Sequence, residues 1–139
     1  EDVPIPLPLV MCLVHEIDLI GEIMPWVESS GVLHQFRANE ADRLVRLVTK
    51  PPIPFVPGFE AVAQRYAFDL LDTPWEAMCL VESSPVWQQA GEVPAETQWR
   101  GVARPPPYQE GLKEIDVKNI VALARPAGPS GQSTAIVFS

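Results

Sequence analysis

The chain has 139 residues, 47% of them apolar and 20% charged, with 18 acidic side chains against 10 basic ones. That length fits one domain, and the apolar share fits a packed core rather than a disordered acidic tail. A net charge of −8 without any run of cations argues against a nucleic-acid surface. Sixteen prolines, where roughly 5% is usual, rule out long uninterrupted helices, because proline lacks the backbone N–H that helix interiors require.

Twelve of the prolines fall into four groups, Pro4/Pro6/Pro8, Pro51/Pro52/Pro54/Pro57, Pro105/Pro106/Pro107 and Pro126/Pro129, which separate nearly proline-free blocks. Residues 1–8 read as a proline-rich leading segment and 9–139 as one domain. In the first block Leu9, Leu13, Ile17, Ile20 and Met24 recur at helical spacing, with Glu16, Asp18 and Glu22 between them. The expectation is an amphipathic helix broken or bent at Gly21 and Pro25. Val32 to Arg37 reads as a short extended piece. Asn39 then stands as an N-cap, with Glu40 and Asp42 in a first turn and Ala41, Leu44, Val45 and Val48 as the apolar stripe of a second helix ending at Lys50.

From Phe59 the period changes to two. Phe59 to Leu71 alternates Phe59, Ala61, Ala63, Arg65, Ala67 and Asp69 with Val62, Gln64, Tyr66, Phe68 and Leu70, and Asp72-Thr73-Pro74 supplies a turn. Ala77–Ser83 should pair back antiparallel. Thr97–Ala103, Ile115–Ala124 and Gln132–Ser139 read as three more strands, the last two joined by the loop Pro126 to Gly131. Short N-terminal helices followed by an antiparallel sheet make the class α+β.

No stretch is apolar enough for a membrane helix, because Ile5 to Ile23 is interrupted by Pro6, Pro8, His15, Glu16, Asp18 and Glu22. Glu1 and Asp2 stand where a signal peptide would carry cations, so the chain is expected to face the cytosol or to be already processed. Cys12 and Cys79 form no disulfide framework and read as small buried hydrophobes in a reducing compartment, cytoplasmic or plastid-like.

The candidate chemistry is thin. Gly128-Pro129-Ser130-Gly131-Gln132-Ser133-Thr134 lacks the lysine and the strand-loop-helix order of a phosphate loop and reads as a hairpin turn. Cys12 and His15, with His34 and Cys79, reach the four ligands of a zinc site but lack a second close pair, so no metal is expected. Ser30, His34 and Asp69 offer the residue types of a nucleophilic triad without a nucleophile elbow, and catalysis is not expected. The face of Ala61, Ala63, Arg65, Ala67 and Asp69 says more. Small side chains there either leave room for a ligand oriented by the two charges, or admit a closely packed helix.

Several runs carry a family resemblance. Leu13 to Ile20, followed by Met24-Pro25-Trp26-Val27-Glu28-Ser29-Ser30, resembles the E-x-D-L … W-x-P-F-x-x-S stretch of START-like lipid-binding domains of algae and other protists. Pro52-Ile53-Pro54 with Tyr66 to Leu71 is similar to that family's P-x-P … G-x-D-x-L segment, Val81 to Ser84 to the end of its next strand, and Val121–Leu123, Pro126, Gly128-Pro129 and Thr134–Phe138 to its paired late strands. The matches run in collinear order over nearly the whole chain. Val56-Pro57-Gly58-Phe59 stands where the family has an arginine, and the tryptophan follows Met24-Pro25 instead of preceding them. The resemblance implies a helix-grip fold, a curved antiparallel sheet around a long C-terminal helix with a cavity between them. The sequence is accordingly expected to be part of such a domain, without its first strands and that helix.

What the resemblance implies in function is non-catalytic binding of a lipid, sterol, pigment or other hydrophobic molecule in the sheet cavity. Arg65 and Asp69 are the expected polar contacts, and Trp26 and Trp99 the expected apolar lining. The alternative is a structural or accessory subunit that uses the same domain to attach to a larger protein assembly. A small hydrolase or cyclase on that fold is a third reading. Peripheral contact with a membrane is compatible with the first two.

Overall fold

The computed structural model describes residues 2–36, 42–51, 53–89 and 97–138. Its centre is an antiparallel sheet built from β1 (Asp2–Val3), β2 (Val27–Gln35), β3 (Arg43–Thr49), β4 (Phe59–Leu70), β5 (Ala77–Ser83), β10 (Ile120–Ala127) and β11 (Ser133–Phe138), in the order β1-β11-β10-β5-β4-β3-β2. A short strand, β9 (Lys113–Ile115), adds in parallel to the start of β4. Between β1 and β2 lie helix α1 (Leu7–His15), a 3₁₀ turn (Ile17–Leu19) and helix α2 (Ile20–Ile23). Between β5 and β9 a small second sheet forms from β6 (Gln88–Gln89), β7 (Thr97–Trp99) and β8 (Val102–Ala103). The class is α+β, as expected. Among the described residues no helix is long and apolar enough to cross a membrane.

The register assigns side chains to two faces. Val45 opposes Ala63 and Leu47 opposes Ala61, while Leu44 opposes Gln64 and Val48 opposes Glu60. In a pleated sheet directly opposed residues share a face. The first set looks toward the helices, where Ile17, only 2% exposed, packs on Val45 and Ala63 with Ile20 and Val117 beside it. The second set looks toward the insertion, because Arg100 reaches Asp42 and Tyr66 from β7–β8, and the carbonyl of Pro106 accepts from Arg46. Leu44 and Val48 are fully buried between the layers. Each such side chain contributes about 1.5–3 kcal/mol of burial.

Several expectations need correction. The segment read as a second helix is β3. Because helices cover one of its faces and the insertion covers the other, it is apolar on both, and Leu44, Val45 and Val48 imitate a helical stripe. The expected cap Asn39, Glu40 of the expected first turn and Ala41 of the stripe lie outside the described residues. The first helix ends at His15, ahead of Gly21, and among its described side chains Leu7 and Val10 are buried, whereas Leu9 is 55% exposed. The offset follows from where the chain meets the sheet: Thr134 Oγ1 donates to the carbonyl of Ile5 at 2.8 Å, so the preceding turn fixes which side of α1 faces β10 and β11. Thr97–Ala103 is a hairpin instead of one strand, turning at Arg100 (φ 50°) and Gly101 (φ 77°). Two positive φ angles in a two-residue loop are the type I′ pattern. Cys12 is exposed, not buried, and Cys79 is half-buried.

Candidate ligand groove and its neighbouring clusters

A groove of about 510 Å³ opens at the end of the sheet where β2 begins, β3 ends and β4 begins; Pro25, Trp26, Thr49, Lys50, Pro51 and Phe59 line it. Thr49 and Phe59 continue the helix-facing rows of their strands, and the Phe59 N–H donates to Thr49 Oγ1 at 3.0 Å, which clamps the two strand ends together. The Lys50 N–H donates to the carbonyl of Trp26 (2.9 Å), and Lys50 Nζ to that of Pro25 (2.8 Å), so the tryptophan segment is held against the exit of β3. The lining is aromatic and aliphatic with one ammonium at the rim. Trp26 is 53% exposed and offers its indole to the groove and to solvent. Gly58 enters this corner closely: a Cβ there would lie 2.4 Å from the Thr49 carbonyl oxygen, so only glycine lets the chain turn into β4 at this point.

Arg65 stands further along the same face, in a different environment. Arg65 and Glu82 are directly opposite on β4 and β5 and form a close, half-buried ion pair. Arg43 is directly opposite Arg65 on the other side, and its guanidinium donates to the His15 carbonyl at 2.9 Å and meets the His15 ring. Arg65, Arg43 and His15, with Met11, Ile17, Val45, Ala67 and Leu80, line a cavity of about 20 Å³. That is room for about one water molecule, far below a small-molecule site. The small residues Ala63 and Ala67 serve close packing of the helical segment here.

The remaining expected site residues lie elsewhere. Asp69 is exposed, and its carboxylate accepts from the Leu71 N–H at 2.9 Å, a local turn contact ahead of Asp72-Thr73-Pro74. Trp99 belongs to the opposite face, edge-on to Phe36 (5.3 Å) and to Trp87 (6.5 Å). The Arg100 guanidinium lies 3.9 Å over the Phe36 ring and donates to Asp42, which also accepts from the buried Gln64 amide at 3.1 Å. Trp26, Arg65, Asp69 and Trp99 therefore do not converge on one site.

The same holds for the catalytic combination. Ser30 Oγ donates to the Ile17 carbonyl (2.7 Å) and accepts from the Gly21 N–H (3.2 Å), pinning the 3₁₀ turn and α2 to β2, while His34 packs on Phe36. Among the described residues no group of three or more His, Cys, Asp or Glu side chains gathers as a metal site. Phe59, Thr49 and Lys50 are the groove residues that sequence reasoning missed. Their signal in the sequence is the proline-rich turn between Lys50 and Phe59, which brings the end of β3 and the start of β4 together. No family model matches the chain, and no curated protein is similar to it at a significant level.

Proposed function

We propose that this chain is a non-enzymatic binding module of the START-like, helix-grip kind, which holds the apolar part of a lipid or other hydrophobic small molecule against the helix-facing side of its sheet. The large antiparallel sheet with short helices on one face supports that reading. The observation that carries it is the groove of about 510 Å³ at Trp26, which continues the helix-facing rows of β3 and β4 through Thr49 and Phe59 and has a mostly apolar lining. Trp26, Phe59, Pro25 and Pro51 supply apolar surface, at about 25 cal/mol per Å² buried, and Lys50 supplies a donor for a polar head.

Native mass spectrometry of the gently purified protein, and of protein mixed with a long-chain fatty acid, tests this. One bound amphiphile per chain is expected, with capture roughly tenfold weaker in Trp26→Ala, the loss expected when a buried aromatic contact is removed. A chain that stays empty under both conditions would overturn it.

A second observation favours the accessory-subunit reading. On the face away from the helices Phe68, Cys79, Leu123 and Val137 stand in one cross-strand row over β4, β5, β10 and β11, with Phe68 and Val137 exposed. Such an apolar row fits a protein interface. An empty chain that co-purifies with a protein partner, and loses it on Val137→Asp, would establish that role instead.

A further inference from the structure

Another cavity, of about 330 Å³, lies on the face of the sheet that looks toward the insertion. Glu60, at the start of β4, lines its floor, and Trp87, Arg104, Pro105, Pro107 and Glu114 stand around it. The register explains why two carboxylates meet there: Glu60 is directly opposite Glu114 where β9 adds in parallel to β4. Like charges so placed repel each other. Each is balanced by a guanidinium of its own. Arg46 Nε lies 2.9 Å from Glu60 Oε1, and Arg104 Nη2 donates to both oxygens of Glu114, at 2.7 Å to Oε1.

The proline wall of this cavity is tied to the sheet. The Glu60 side chain is only 8% exposed, and its Oε2 accepts from the Tyr108 N–H at 3.0 Å, while Arg46 Nη2 donates to the Pro106 carbonyl at 2.6 Å. Prolines 105–107 stand between these anchors with φ fixed by their rings. Hydrogen-bonding capacity is left over on both sides of the cavity. A carboxylate has about four acceptor sites, of which Glu60 uses two. Arg104, half-exposed at the mouth, bonds through Nη2, and its Nε and Nη1 have no partner among the described residues.

The chemistry of this lining narrows the ligand. Two carboxylates against two guanidiniums leave no net charge, so an ion seated there would find no counter-charge of its own. A wholly apolar body would cover Glu60, Arg104 and Glu114 without replacing their bonds to water. What fits is a neutral molecule whose polar groups both donate and accept, with an apolar side for Trp87 and the prolines. A hydroxyl donates one hydrogen bond and accepts two, and a sugar ring carries hydroxyls around its edge and C–H groups on its faces. We propose that this cavity binds a single sugar ring, its hydroxyls donating to Glu60 and Glu114 and accepting from Arg104, with a C–H face against Trp87. The site is on the opposite face of the sheet from the groove at Trp26, and it stands whether or not that groove takes a lipid.

Chemical-shift titration of the ¹⁵N-labelled chain tests it, with the methyl glycosides of glucose, galactose and mannose and with N-acetylglucosamine. Adenosine and tetramethylammonium serve as a flat neutral and a cationic alternative. At least one sugar is expected to shift the Trp87 indole N–H and the amides of Glu60, Arg104 and Glu114. The expected Kd is on the order of 1–10 mM, the level a ligand of about a dozen heavy atoms reaches at ordinary efficiency. Trp87→Ala and Glu114→Ala should each weaken that binding roughly tenfold, by loss of the apolar platform and of a charged acceptor. Glu114 is exposed, so its variant is expected to keep the amide spectrum of the fold away from the cavity. Trp26→Ala should bind the sugar as wild type does. Spectra unmoved by every sugar would overturn the proposal, as would shifts of these signals with adenosine or tetramethylammonium alone, or a folded Glu114→Ala chain that binds the sugar undiminished.

Discussion

Arg43 and Arg65 stand side by side on neighbouring strands, where like charges repel, and Glu82 is the carboxylate that balances them. Arg65 is thus held by the sheet itself, its guanidinium engaged beneath the helical segment instead of offered to a ligand. Removing the carboxylate leaves two half-buried cations with one counter-charge fewer. Glu82→Ala is therefore expected to destabilise the fold by about 3 kcal/mol, whereas Asp69→Ala, which loses one exposed turn bond, should cost less than about 1 kcal/mol. Urea unfolding of the two variants checks the contrast. Arg65 and Asp69 lie on the face singled out from the sequence, since alternation places 61, 63, 65, 67 and 69 together. What alternation does not contain is the identity of cross-strand neighbours, and these place Arg65 in an ion pair with Glu82, while Trp26, in the turn before β2, lines the groove.

Strand positions were legible where turn residues bound them, and the bounds of β4, β5 and β11 in the structure fall within a residue or two of those read from the sequence. β3 is covered on both sides, so burial replaces its alternation by Leu44, Val45 and Val48, which satisfy helical spacing equally well. The hairpin of β7 and β8 was missed because Arg100-Gly101 is a weaker turn signal than Asn-Gly, although the second position does carry the glycine that the positive φ favours. At the joint between β3 and β4, Gly58 is the residue with no substitute. Gly58→Ala is expected to cost about 1–3 kcal/mol, because the added methyl meets the Thr49 carbonyl and Leu112 and the strand ends must part. The same parting should open the groove, so weakened ligand capture is expected to accompany the fall in stability.

At the level of the whole molecule the sheet keeps its two faces for different purposes. One carries the helical segment at its centre and leaves the groove at one end; the other is roofed by the insertion through Arg46, Arg100 and Tyr108, whose N–H donates to the buried Glu60. Pro51 lines the rim of the groove, and the chain turns at Ile53–Val56 before it enters β4. The central claim is that an apolar ligand enters at that end and on that face. Amide chemical-shift mapping of the ¹⁵N-labelled chain, with a long-chain fatty acid added below its aggregation threshold, tests it most directly. Shifts confined to Trp26, Thr49, Lys50, Phe59 and their immediate neighbours are the result the account predicts. Unchanged spectra, or shifts centred on Trp87 and Trp99 across the sheet, would contradict it.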